Sequence, residues 1–174
     1  MTRLMEACVC LGALALAGPA LAQDSASQTT TGSAQVIQPI TLTKASDLQF
    51  GAVVKPSLGS NTISIDETTG ARSIGNGGDA ALVAGGGSRA AYTVSGEGAQ
   101  AFSITAPNHF DMVRDGGADT LKVTLEATST GGTLSGSAGS AGSASFGVGG
   151  SFQVHKTTPE GSYSGSFDVS VAYN

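Results

Sequence analysis

The chain has 174 residues, 8 basic and 13 acidic side chains and a formal net charge of −5. The charges are scattered and no Lys/Arg cluster occurs, which excludes the basic footprint of a nucleic-acid binder or of a protein held on an anionic membrane surface. The length suits one domain, long enough to bury roughly two-thirds of the surface its unfolded chain exposes.

Residues 1–22 read as a secretory signal peptide. Arg3 precedes a short apolar run, Ala7 to Ala17, and Ala20-Leu21-Ala22 is a small-x-small cleavage site. The run is shorter than the ~20 residues of a permanent bilayer helix. The expectation is export to the periplasm, the cell surface or the medium, without a permanent membrane anchor after cleavage. Both cysteines, Cys8 and Cys10, lie in this segment. The mature chain is therefore expected to hold together by its core and not by disulfides.

Residues 23–33, QDSASQTTTGS, contain no large apolar side chain. Nothing in them offsets the entropy of ordering, so they read as a flexible polar leader. From Ala34 the signal is β throughout, and residues 34–174 form the expected single domain. Val36, Ile40 and Leu42 open a first strand, and Leu48 and Phe50 alternate until Pro56. Ile63 and Ile65 alternate before a tight turn at Asp66 to Gly70. Ala80 to Ala84 is a short apolar run, and Tyr92 with Val94, then Phe102 with Ile104, mark two more strands. Leu121, Val123, Leu125 and Ala127 alternate with polar residues, as do Phe146, Val148, Phe152 and Val154 across Gly149-Gly150. Gly136 to Ser145, GSAGSAGSAS, reads as a loop or a weakly specified edge strand. Short strands with frequent turns and no 3.6-residue apolar period predict an all-β fold, an immunoglobulin-like sandwich of antiparallel strands.

The chain closes on GSYSGSFDVSVAYN. Gly161, Tyr163, Phe167, Val169, Val171 and Tyr173 occupy alternate positions of that run. The pattern predicts a half-buried terminal strand.

Little else points to chemistry. His109 and His155 have no nucleophile or ligand partner in sequence. Gly161-Ser162-Tyr163-Ser164-Gly165 has Tyr where a nucleophile elbow has Ser. Gly75 to Gly78 and Gly85 to Gly87 lack the Lys-Ser/Thr of a phosphate-binding loop. Asp111, Asp115 and Asp119 gather in a run that could offer oxygens to Ca²⁺ but lacks the EF-hand spacing, so a solvated turn is favoured. The expectation is a protein that is not an enzyme, with no catalytic residue, metal or cofactor assigned.

The stretches VIQPITLTKASDLQFGAVV (Val36 to Val54), IDETTGAR (Ile65 to Arg72), AYTVSGEGAQAFSIT (Ala91 to Thr105), FGVGGSFQV (Phe146 to Val154) and PEGSYSGSFDVSVAYN (Pro159 to Asn174) together resemble the bacterial secreted family known as domain of unknown function 4402. A looser resemblance is to pilus subunits assembled by a periplasmic chaperone and an outer-membrane usher. Those subunits end in an alternating strand with a penultimate aromatic and a glycine fourteen residues from the end. Here Tyr173 is penultimate and Gly161 is fourteenth from the end. That resemblance implies a structural or adhesion-type surface protein. Its partners would be a chaperone or sister subunits, gripped by β-augmentation at the terminal strand, which makes Gly161, Tyr163, Phe167, Val169, Val171 and Tyr173 the candidate partner-binding set. The polar leader lacks the large alternating apolar residues of a donated strand, and Val36, Ile37, Ile40 and Leu42 are more economically used in the domain's own first strand. A secreted ligand- or glycan-binding module, with a loop such as Asp111 to Asp119 as its site, is the alternative.

Overall fold

The computed structural model describes residues 25–174 except residue 76. The expected signal peptide and residues 23–24 of the leader lie outside the described residues. Residues 25–35 are exposed and form no helix or strand, and the folded unit is Val36–Asn174.

The described residues form antiparallel strands and no helix. In chain order these are β1 (Thr41–Ser46), β2 (Val53–Val54), β3 (Ser60–Ile65), β4 (Arg72–Ile74), β5 (Ala81–Leu82), β6 (Ala90–Glu97) and β7 (Ala101–Thr105). They continue as β8 (His109–Arg114), β9 (Thr120–Ala127), β10 (Gly131–Thr133), β11 (Ala141–His155), β12 (Tyr163–Ser164) and β13 (Ser170–Tyr173). The main sheet runs β1-β6-β11-β9-β8-β12, with β3 and β4 branching from β11. It curls into a half-barrel. A second sheet runs β10-β7-β13, and β2 pairs with β5.

Alternation explains the placement. In β3, Ile63 and Ile65 are buried; in β6, Tyr92 and Val94; in β9, Val123 and Leu125; in β11, Phe146, Val148, Phe152 and Val154. Phe102 and Ile104 of β7 enter the same core, and Val171 and Tyr173 of β13 pack against it. The period of two aims one face of each strand inward. Phe50 meets Phe152 edge to face with ring centres 4.9 Å apart, and Tyr92 stacks on Phe146 at 5.1 Å.

Three expectations need correction. The Ser-Ala-Gly run is not a loop throughout: its first half turns, and Ala141 to Ser145 belong to β11, where they ladder with β6 along one edge. Small residues are required there because other segments lie on the strand. A Cβ on Gly142, for example, would stand 2.8 Å from the Gly98 Cα. Val36 does not open the first strand: β1 begins at Thr41, and Val36 is 96 % exposed. Leu48 to Phe50 is held by one isolated bridge, Gln49 to Ser88, and the strand that follows is only Val53–Val54.

Candidate functional site

The terminal run is not one strand. Its first part, β12, pairs with β8 at the edge of the main sheet through Tyr163 opposite Arg114. Its last part, β13, pairs with β7 in the second sheet, with Val171 opposite Ile104 and Tyr173 opposite Phe102. Residues 165–169 cross between the sheets without a ladder. Alternation cannot report such a change of partner, because both halves still turn the same side chains inward.

Each candidate residue has an intramolecular occupation. Tyr163 donates its hydroxyl to the Pro159 carbonyl at 2.8 Å. Phe167 packs on Phe110 with ring centres 5.1 Å apart. Val169 and Val171 are half-buried against the core. Gly161 is exposed, with φ at +147°, in the bend that leads into β12. Tyr173 works as a clasp: its hydroxyl donates to the Gln38 carbonyl at 3.0 Å and accepts from the Glu97 amide at 2.7 Å. The phenol lies so close over Gly96 that a Cβ there would overlap it. Glu97 is only 3 % exposed, and its carboxylate accepts from the Gly139 and Gln38 amides. The penultimate aromatic thus ties the chain's last strand to the residues just before its first. Among the described residues, β13 is paired along one edge only.

A second feature lies where the chain approaches β12. β11 carries β6 along Ala141 to Val148 and β3 along Gly150 to His155 on one edge. On the other edge β9 pairs only through Val148 to Ser151, opposite Ala127 to Thr124. Both strands continue past that point: Thr120 to Val123 remain paired with β8, and Phe152 to His155 with β3. Between them no ladder is formed, so the main sheet splits into a gap with a backbone edge on each side. Cavities open on both faces of it. The outer one, about 730 Å³, is lined by polar side chains including Lys122, Thr124, Gln153 and His155. The inner one, about 880 Å³, is lined by Phe110, Met112, Leu121, Phe152 and Val154. Thr158, Pro159 and Tyr163 line both, so the loop into β12 stands at the mouth of the gap.

One wall of the inner cavity is the segment Asp47 to Lys55. Arg72 anchors it by donating to the Phe50 carbonyl at 2.8 Å and to the Val83 carbonyl. The Lys55 ammonium meets Glu160 of the loop at 3.0 Å. Both partners are well exposed, and such a pair contributes only about 0–1 kcal/mol. The loop is held besides by the Tyr163 hydroxyl on the Pro159 carbonyl and by backbone bonds from Lys156 to Gly59 and from Asp115 to Ser162.

The other sequence candidates are dispersed. His109 opens β8 instead of sitting in the turn before it, and His155 ends β11; both are exposed. Asp111 is not in a loop but in β8, opposite Lys122. Asp119 is held by the Arg114 guanidinium at 2.7 Å. No group of three or more His, Cys, Asp or Glu with metal-binding spacing occurs among the described residues. Asp66 and Asp79 have carboxyls held below the usual range, chiefly by the Thr69 amide for Asp66 and the Ser57 hydroxyl for Asp79. Both bonds organise turns: Asp66 accepts from the amides of Thr68 and Thr69, and Asp79 from those of Ser57 and Leu58.

The split between β9 and β11 was not foreseen, because the alternations of Leu121 to Ala127 and of Phe146 to Val154 are each unbroken. The one sequence signal near it is Gly149-Gly150, which marks an irregular strand without giving its partner.

Residues 40–173 match the family model described as domain of unknown function DUF4402, and the chain belongs to that family. No curated protein and no solved structure matches the chain. None of these comparisons supports the likeness to pilus subunits.

Proposed function

We propose that this chain is an exported, non-enzymatic structural or adhesion-type surface protein, pilin-like in joining another polypeptide by strand pairing through or beside its C-terminal strand. The observation that carries the reading is the setting of that strand. β13 is bonded along one edge only, and the loop leading into β12 stands over a gap between two unpaired backbone edges. Unpaired edges are templates for a further strand, and native proteins usually blunt or cover them. A periplasmic chaperone or sister subunits fit as partners. The shared core of the β10-β7-β13 sheet and the curled main sheet supports an immunoglobulin-like sandwich as the finer description.

The outer cavity favours a second reading, a glycan-binding module. Its exposed Thr, Gln and His side chains beside Tyr163 offer hydrogen-bonding groups and one aromatic ring. Sedimentation velocity over a wide concentration range, with and without a strand-forming peptide of alternating Thr and Val, separates the two. Self-association or peptide binding is expected. A strict monomer that ignores the peptide and retains glycans on an array overturns strand pairing in favour of the second reading.

A further inference from the structure

We infer that the split between β9 and β11 is an acceptor site for an extended segment of another polypeptide, one with large apolar side chains at alternate positions. This rests on the strand-pairing reading and gives it a place: an internal gap of the main sheet, not the outer edge of β13.

The backbone makes the first argument. Continued ladder pairing would set Val123 opposite Phe152 and Lys122 opposite Gln153, since the last pair formed is Thr124 with Ser151. No backbone hydrogen bond joins Thr120–Val123 to Phe152–His155. Each of those segments is bonded on its far side, to β8 and to β3. A strand entering the gap would find backbone donors and acceptors on both flanks, where an outer edge offers one flank.

Side-chain chemistry makes the second. The gap is two-faced. Val154 lines the inner cavity alone and Lys122, Gln153 and His155 the outer one alone, while Leu121 and Phe152 reach both. A strand sends successive side chains to opposite faces. An alternating segment therefore places apolar groups in the inner cavity and polar groups in the outer one. A saccharide would use the outer half alone and leave both backbone edges unpaired.

The choice of source rests on the described residues. Among them the segment before the sheets, residues 25–40, carries only Val36, Ile37 and Ile40 as large apolar residues. Three side chains, two of them adjacent, do not make a long alternating set for an inner cavity of about 880 Å³. A different polypeptide is the better occupant than a second copy.

Hydrogen exchange read by mass spectrometry tests the site on the full chain. The probe is a peptide of about eight residues, a common strand length, alternating Thr with Val, Ile and Phe. A peptide of the same composition with its apolar residues adjacent is the control. The expected result is at least about tenfold slower exchange in Thr120–Val123 and Phe152–His155 with the alternating peptide only. Leu121→Lys, which places a charge in the inner cavity, should weaken that protection while the protein's thermal unfolding stays cooperative. Protection along β13 or β1 instead would overturn this site and leave the strand-pairing reading standing. Equal protection by the control peptide overturns the alternation argument. Protection of the gap by raising the chain's own concentration overturns the choice of source, and no binding of either peptide overturns the proposal.

Discussion

Replacing Tyr173 by Phe isolates the clasp at the end of the chain. The ring keeps its place over Gly96, and only the hydroxyl is lost. That removes two hydrogen bonds, to the Gln38 carbonyl and from the Glu97 amide. Water can reach the first partner, because the Gln38 end is exposed. The second cannot be replaced so easily, since Glu97 is 3 % exposed. A buried donor left without a partner costs about 1–3 kcal/mol. With an unfolding entropy of about 2.1 cal/mol/K per residue over roughly 140 residues, 1 kcal/mol corresponds to about 3–4 °C. Differential scanning calorimetry should then show a Tm lower by roughly 3–10 °C. A Tm within about a degree of the unmodified protein, at unchanged unfolding enthalpy, would refute the clasp.

Gly149→Ala should destabilise by about 1–3 kcal/mol, the usual cost of overpacking, because its Cβ would meet the Glu67 backbone at 2.6 and 2.9 Å; urea unfolding measures it. Ending the chain at Gly161 removes Tyr163, Phe167, Val169, Val171 and Tyr173, all half-buried. At about half of 1.5–3 kcal/mol each, the loss is about 4–7 kcal/mol, a large share of the usual 5–15 kcal/mol; a Tm within about a degree of the full chain's contradicts the structural role of the terminal run. Acid should weaken the fold through Asp66 and Asp79, whose carboxyls titrate lower in the folded chain than in the unfolded one. Their contribution is complete above the unfolded carboxylate value, near 4, and is lost as pH falls through the lower folded values. Stability measured against pH should therefore fall less steeply below about pH 4 in Asp66→Ala/Asp79→Ala than in the parent.

Most of the strands were legible because alternation is a local property. Ile63/Ile65, Phe102/Ile104 and Val123/Leu125 turn inward as their spacing requires. Pairing was not legible, because it is decided by distant segments. The Ser-Ala-Gly run reads as a loop or a weakly specified edge strand, and its second half is a strand. Its small residues are what let Ser135 and Gly98 pack against Gly142. The terminal run looked continuous, yet residues 165–169 leave one sheet before Ser170 joins the other. Tyr173 was singled out by its position; its partner at Glu97 lies 76 residues away, beyond any local pattern. The split beside Ser151 is a failure of two good strands to continue together, and nothing in either strand's own residues announces it.

The most direct test is to close the gap. Lys122→Cys combined with Gln153→Cys places one thiol on each side of the gap, a reducible bis-thiol-reactive linker joins them across it because a direct disulfide would need the two Cα atoms within about 7 Å, and the linkage is verified by peptide mass mapping. Binding of the labelled alternating peptide is then followed by fluorescence anisotropy in the oxidised and reduced protein. The account predicts that binding is lost when the staple is formed and returns on reduction. Undiminished binding to fully stapled protein would contradict it.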